Sequence, residues 1–476
     1  MAKTFRPYTL DQQLLLPPDL RAWLPEGHLA LYVSDVVDAL DRSAILRVYA
    51  AADPRGGVPY HPALLVKLLV YAYCIGMPSS RRIERATYED VAMRVLAGDQ
   101  HPDHDTLAAF RQQHLQALAG LFVQVLRLCQ RAGLVKLGHV ALDGTKVQAN
   151  ASKHKAMSYG RMQATEQRLT REVNALLAEG AARDAAEDRQ YGKGTRGDEL
   201  PAELARRESR LVKIREAKAA LEAEARAQAE QDAAAARAKL AERERLAREA
   251  GKPPRGRPPA VPDVAAAVPE PTAQRNFTDP ESRIMRDGAT KSFVQAYNAQ
   301  AAVDSHAQVI VAASVTQAAG DVQQLVPMFA RVQANTGQWP TVGTADAGYF
   351  STANVSAETL AAVDLYIPPD KQPHGTRAAS ATAAPVVAAA DEAPPAALAR
   401  TQMRAKLQTP EGQAHYARRK AIVEPVVGQT KERRGFRRFS LRGLTHVGAE
   451  WDLVCLTHNV LKLFRAGVRI PRLAPA

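Results

Sequence analysis

His139-Val-Ala-Leu-Asp-Gly-Thr-Lys-Val-Gln-Ala-Asn150 is the stretch from which the rest of the chain can be ordered. His139 to Leu142 read as a buried strand. That strand delivers one carboxylate, Asp143, after which Gly144 and Thr145 let the chain turn. A carboxylate on a buried strand costs free energy unless it is paired or holds a cation. An aspartate that ends a strand and caps a turn is the commoner case. Asp143 gains weight because two distant carboxylates follow equally apolar runs, Asp346 after Val-Gly-Thr-Ala and Glu424 after Ala-Ile-Val.

Upstream of this strand, residues 1–136 read as helical. The run "HPALLVKLLVYAYCIG" is apolar almost all round, which marks a central buried helix ended by Gly76 and Pro78. His101, Asp103, His104 and Asp105 have metal-ligand chemistry, but no partner cluster follows at ligand spacing, so a helix start is the better reading. Arg81, Arg82 and Arg85 suit either a solvated helix face or DNA phosphates.

Downstream, residues 158–250 turn rich in Ala, Glu, Arg and Lys. Leu204, Leu211, Ile214, Ala217, Leu221 and Ala225 recur at helical spacing, so an inserted helical hairpin or coiled coil is expected, with Lys218 spoiling a strict heptad. The tract 251–275 is a Pro/Arg-rich linker in which Arg255 and Arg257, in Arg-Gly-Arg-Pro, resemble a minor-groove-inserting hook. Strand patterns resume at Phe293 as a hairpin. A helix opened near Asp321, a strand ending at Asp346 and a further strand at "DLYIPP" follow. Residues 371–400 are Ala/Pro-rich and expected to be disordered, and the last ordered unit covers 401–468. The element order is mixed α/β and fits a ribonuclease-H-like sheet, over 137–157 and 276–370, interrupted by the helical insertion.

The chain has 476 residues, 46% of them hydrophobic, and a formal net charge of +13 with pI about 9.7. Such a balance over this length points to a polyanionic partner. Cys74, Cys129 and Cys455 are scattered without CxxC spacing, which suits reduced, buried thiols in a cytoplasmic protein. No apolar run reaches membrane-spanning length.

If Asp143, Asp346 and Glu424 converge at one sheet edge, their mutual repulsion calls for cations. Two divalent ions about 3.5–4 Å apart resolve it and suit phosphodiester exchange. Oxygen ligands without clustered Cys or His favour Mg2+ or Mn2+. Eight Lys or Arg lie between Arg418 and Arg438 against Glu424 and Glu432, a segment suited to phosphate.

Seven ordered blocks carry a family resemblance. Among them are "SSRRIERATYEDVAMRVLAGDQHPDHDTLAAFRQQH", "ALDGTKVQANAS", "FVQAYNAQAAVD", "TADAGYF" and "RRKAIVEPVVGQTKERRGFRRFSLRGL". The chain resembles a DDE transposase of a bacterial insertion sequence. The resemblance implies a ribonuclease-H-like catalytic core with Asp143, Asp346 and Glu424 as its catalytic, metal-holding acids, and an all-α N-terminal domain, 1–136, for DNA binding or dimerisation. It also implies cleavage at the element's terminal repeats, 3′-hydroxyl strand transfer into target DNA, and a homo-oligomeric synaptic complex. Tyr416, Arg419 or Lys420, Glu424 and Lys431 resemble a family signature whose Tyr-to-Glu spacing is here one residue longer. With Lys146, Arg433, Arg434, Arg255 and Arg257, the basic and aromatic members of this set are expected to meet DNA. Pro425 disfavours helix at Glu424, so a kink or a fresh helix start is expected there. A stand-alone nuclease on the same fold, or a non-catalytic DNA-binding architectural protein, are the competing readings.

Overall fold

The computed structural model describes residues 19–50, 59–191, 202–251, 253, 256–288, 290–370 and 395–470. It forms two compact units, residues 1–148 with 297–476, and residues 149–296.

The first unit opens with α1 (Leu29–Asp38), α2 (Ser43–Ala50), α3 (Pro62–Cys74), α4 (Ser80–Glu89), α5 (Val91–Ala97), α6 (His104–Gln113) and α7 (Leu115–Arg131). His61 caps α3 by accepting from Ala63 N, and Pro62 follows at the first turn, where its missing N–H costs nothing. Every residue of α3 but Lys67 is buried, as an all-round apolar helix requires. Asp103 caps α6 through Thr106 N at 2.7 Å, and His104 Nδ1 meets Glu84 Oε2 at 2.7 Å. The His/Asp run therefore starts and fixes a helix, as its spacing suggested.

These helices, expected as a domain of their own, share a core with the C-terminal helix α14 (Leu444–Arg465). The cause is apolar surface: α14 buries residues on all sides, and Leu115 on α7 joins Leu441 and Ala449 in one cluster. Tyr73 donates to Glu450 Oε1 at 2.8 Å within that core, and Glu450 also accepts from Ser440 N and Leu441 N. The three cysteines are buried and free.

The sheet of this unit runs from β1 (His139–Gln148) outward. On one side β7 (Val342–Thr344) and then β8 (Asp364–Tyr366) pair parallel to it. On the other side lies β5 (Phe293–Asp304), joined antiparallel to β6 (Ile310–Thr316) through the expected hairpin, with a bulge between Ala302 and Val303. Ser305 N donates to His139 O and Ala149 N to Gln295 O, so β1 and β5 run in opposite directions. The strands between β1 and β5 in sequence, β2 (Ala156–Ser158), β3 (Gln274–Asn276) and β4 (Arg283–Arg286), belong to the second unit. α10 (Leu325–Thr336) packs on β6 and ends at Gly337, whose φ of +79° suits glycine. A short α11 (Thr352–Val355) precedes β8.

α12 (Pro395–Gln408) begins inside the stretch expected to be disordered, because Pro395 at the first turn is followed by helix-forming Ala and Leu. Residues 371–394 lie outside the described residues. α13 (Pro410–Gly428) then runs unbroken through Pro425, so no fresh helix starts there. Proline removes the bond to the carbonyl four residues back. Here that carbonyl, Ala421 O, accepts from Gln308 Nε2 at 2.9 Å instead, so nothing is left unpaired.

In the second unit, α8 (Tyr159–Tyr191) packs against α9 (Ala202–Ala250). Leu211, Ile214, Ala217 and Leu221 bury against Met162 and Leu169, the stripe read from the sequence. Lys218, which breaks the heptad, pairs with Glu166 at 2.9 Å. Residues 192–201, between these two helices, lie outside the described residues. Residues 149–157 and 276–296, assigned above to the catalytic core, fall in this unit, where β2 pairs with β3 and β4 with the first residues of β5.

Candidate active site

Register places the first two acids. Ala141 on β1 pairs with Thr344 on β7 in parallel, and Asp143 and Asp346 each lie two residues further on. Parallel strands advance together, so both side chains arrive at one end of this strand pair. Each is turned by its own local bond: Asp143 Oδ1 accepts from Gly144 N at 2.8 Å, and Asp346 Oδ1 from Gly348 N at 2.9 Å.

The electrostatics of Asp143 report its neighbours. Burial pushes its carboxyl up to about 6, the Arg419 guanidinium opposes that rise, and the negative charges of Asp346 and Asp321 add to it. Arg419 Nη1 stands 3.4 Å from Asp143 Oδ2, and its guanidinium lies over the Tyr416 ring at 5.9 Å. Lys146 Nζ stands 3.7 Å from Asp321 Oδ1, and burial draws its ammonium below the usual lysine range against the pull of Asp321.

Asp321 was read from the sequence only as a helix-start residue. It makes no side-chain cap; Oδ1 instead accepts from Asn298 Nδ2 at 2.6 Å and Gln300 Nε2 at 2.7 Å. Tyr349 donates to Gln300 Oε1, which fixes the amide with its nitrogen toward Asp321. Asn298 and Gln300, two apart on β5, point to the same side, which is the only sequence signal for this arrangement. Gly144 makes room for it: a Cβ there would lie 2.6 Å from Asp321 Oδ1 and 2.9 Å from Asn298 Oδ1.

Glu424 does not join this group. Val423 and Val426 take the buried side of α13, and Glu424 is turned to solvent beside Pro425. Among the described residues, no three His, Cys, Asp or Glu gather closely enough to hold a metal ion, so the expected pocket of two aspartates and a glutamate is not assembled. The donor chemistry nonetheless fits a hard divalent cation. The ligands on offer are oxygens, and Gly348 leaves a space that a Cβ would fill, 3.0 Å from Asp346 Oδ1 and 3.6 Å from Asp321 Oδ2.

The expected DNA-contact residues divide. Lys420 and Arg433 are exposed, and Tyr416 is half-buried. Lys431 Nζ donates to Lys146 O at 2.7 Å, which ties the helix end to β1. Arg434 corrects its assignment: it is buried and gives its guanidinium to Val454 O, Thr457 Oγ1 and Thr430 Oγ1, so it is a core residue that cannot face DNA. Arg257 is exposed, and Arg255 lies outside the described residues. A different basic surface went unread. In the second unit, His154, Lys155, Arg161, Arg206, Arg210 and Lys213 line a cleft of about 820 Å³ with no acidic residue among its described lining.

Comparison with known families places both ends of the chain. Residues 18–113 match a transposase domain family, and residues 389–464 match a transposase DDE domain. The DDE domain indicates an enzyme of the polynucleotidyl-transferase type. The chain is a DDE transposase of the insertion-sequence kind. Glu424 lies within the second match, whereas Asp143, Asp346 and Asp321 fall between the two. Searches of curated proteins and of solved structures return no match.

Among the described residues, no helix is long and apolar enough to cross a membrane.

Proposed function

We propose that this transposase cleaves DNA at the ends of its element and joins the freed 3′-hydroxyl to target DNA, on a ribonuclease-H-like core. The strand order β6-β5-β1-β7-β8, with the last two parallel to β1, supports that core. The observation that carries the function is Asp143 and Asp346 brought to one end of β1 and β7, beneath Arg419.

Asp143, Asp346 and Glu424 are the proposed holders of two Mg2+ or Mn2+ ions, which would supply a nucleophilic oxygen at neutral pH and a stabilised leaving oxygen. Glu424 is assigned from its place in the DDE match, and its carboxylate has to turn inward on α13 to complete the set. Arg419 holds the Asp143 carboxylate charged and oriented. Lys420 and Arg433 are placed to take phosphates. The cleft on the second unit, with Arg206, Arg210 and Lys213 at helical spacing on one face of α9, is proposed to grip the DNA backbone without reading sequence. The partners are then terminal repeats, target DNA and further copies of this chain in a synaptic complex.

The test is a Mg2+-dependent cleavage and strand-transfer assay on the DNA flanking the gene. Asp143→Asn, Asp346→Asn and Glu424→Gln should each abolish cleavage while gel-shift binding persists. Joining of a pre-cleaved end separates a transposase from a nuclease, which would only hydrolyse. Full cleavage by any one variant removes that residue from the active site.

A further inference from the structure

We infer that the basic cleft of the second unit takes an unpaired nucleotide of a DNA strand, its base on the apolar floor and its phosphates on the cationic rim. The inference rests on the DNA-gripping role proposed for this cleft above and adds which form of DNA it holds.

The rim is cationic and uncompensated. Along α9 the cations turned toward α8 each meet a carboxylate: Arg207 meets Glu172 at 3.5 Å, and Arg215 and Lys218 meet Glu166 at 3.0 and 2.9 Å. Arg206, Arg210 and Lys213, which line the cleft, have no such partner among the described residues, and neither do Lys155 and Arg161 in the same lining. Like charges three and four residues apart on one helix face repel, so this row costs stability until an anion lies on it. A merely solvated face needs no such row. Where α9 is solvated further on, Arg245 has Glu242 and Glu249 as partners.

The floor is apolar, and that decides the form of DNA. Met157 and Ile214 are buried and Phe277 is half-buried, and all three line the cleft. The backbone fixes where Phe277 sits. Its N–H donates to Lys155 O at 3.0 Å, β2 pairs with β3 immediately before it, and the buried Asn276 donates to Ser152 O and accepts from Thr278 N, each at 2.8 Å. A duplex turns sugar and phosphate outward and keeps its bases stacked within, so it would cover the cations and leave these apolar side chains wet. An unstacked base brings a flat apolar face to them while its own phosphates reach the cations, which is how single strands are held without sequence reading. The size agrees: about 820 Å³ lies within the roughly 300–1,000 Å³ of small-molecule sites, so a nucleotide enters where a double helix only lies across. Cleavage at the element's ends, as proposed above, supplies strand ends whose bases are free to unstack.

The experiment measures binding of the full chain, at one fixed salt concentration, to a fluorescent single strand, to the same strand with abasic sites in place of its bases, and to a duplex. The base-bearing strand should bind about tenfold tighter than the abasic one, the size of one stacked base. Phe277→Leu keeps the apolar bulk and removes the flat ring; it should lose most of that advantage and leave abasic and duplex binding unchanged. A strand carrying 5-iodouracil, irradiated on the wild-type chain, should crosslink to Phe277, and this readout carries the test if Phe277→Leu melts early. Equal affinity of the wild-type chain for the two strands, or crosslinks confined to residues outside the cleft, overturns the inference. If Arg206→Ala, Arg210→Ala and Lys213→Ala together still weaken duplex binding in that case, the backbone grip proposed above stands; if they do not, that reading of the cleft falls as well.

Discussion

Arg419 Nη1 on α13 lies 3.4 Å from Asp143 Oδ2 on β1, joining residues far apart in sequence. The side chains are 9% and 25% exposed, so the pair is poorly screened by water. It is a direct link between the DDE-matched helix and the central strand, beside the ring contact of His139 with His415.

Removing one partner should therefore hurt more than removing both. Arg419→Ala is expected to lower stability at pH 8, and Asp143→Asn added to it should restore part of the loss. A coupling of about 1–2 kcal/mol is expected from a double-mutant cycle by urea unfolding. Strict additivity would show that the two groups do not interact in solution.

Gly144 is needed for the space it leaves rather than for its backbone angle. A Cβ there would meet the side chains of Gln300, Asp321 and Asn298 at once. Gly144→Ala should cost about 1–3 kcal/mol from overpacking, together with most of the cleavage activity. Thermal melts and the cleavage assay check it, and a wild-type melt would contradict the close packing described for this strand.

The basic cleft on α9 predicts a salt-dependent effect. Arg206→Ala, Arg210→Ala and Lys213→Ala combined should weaken binding to any duplex alike. The slope of log affinity against log salt should flatten by about one for each phosphate contact removed. Filter binding across a salt series reads this; an unchanged slope would assign the DNA path elsewhere.

Asp452 on α14 sets a pH dependence. Burial raises its carboxyl to about 7, with Arg331 pulling the other way. The folded chain then holds a proton that the unfolded chain has released between roughly pH 4 and 7. Stability from this group is complete at the acid end of that window and is lost as pH rises through it, at on the order of 1 kcal/mol per pH unit. Asp452→Asn stays neutral, so its stability relative to the parent should grow from pH 4 to 7 and level off above. A flat difference across that range would mean Asp452 is ionised throughout.

Much was legible in sequence because periodicity and turn chemistry act locally. The all-round apolar α3, the Leu211-Ile214-Ala217-Leu221 stripe, the hairpin of β5 and β6 and the strands leading to Asp143 and Asp346 are each written within a few residues. Family blocks pointed to a DDE transposase, and the two domain matches agree. Pairings between distant segments were decided by the folded chain alone. Apolar surface on α7 and α14 merged the N-terminal helices with the C-terminal core. Gln308 took up the carbonyl that Pro425 leaves without its helical donor, and α13 continued through the proline. Two amides on β5 drew Asp321 off its helix start and into the acidic group, while Val423 and Val426 claimed the inner side of α13 and turned Glu424 outward. A single sequence records which groups each segment can offer; which of them meet depends on packing the whole interior at once, and no local pattern encodes that.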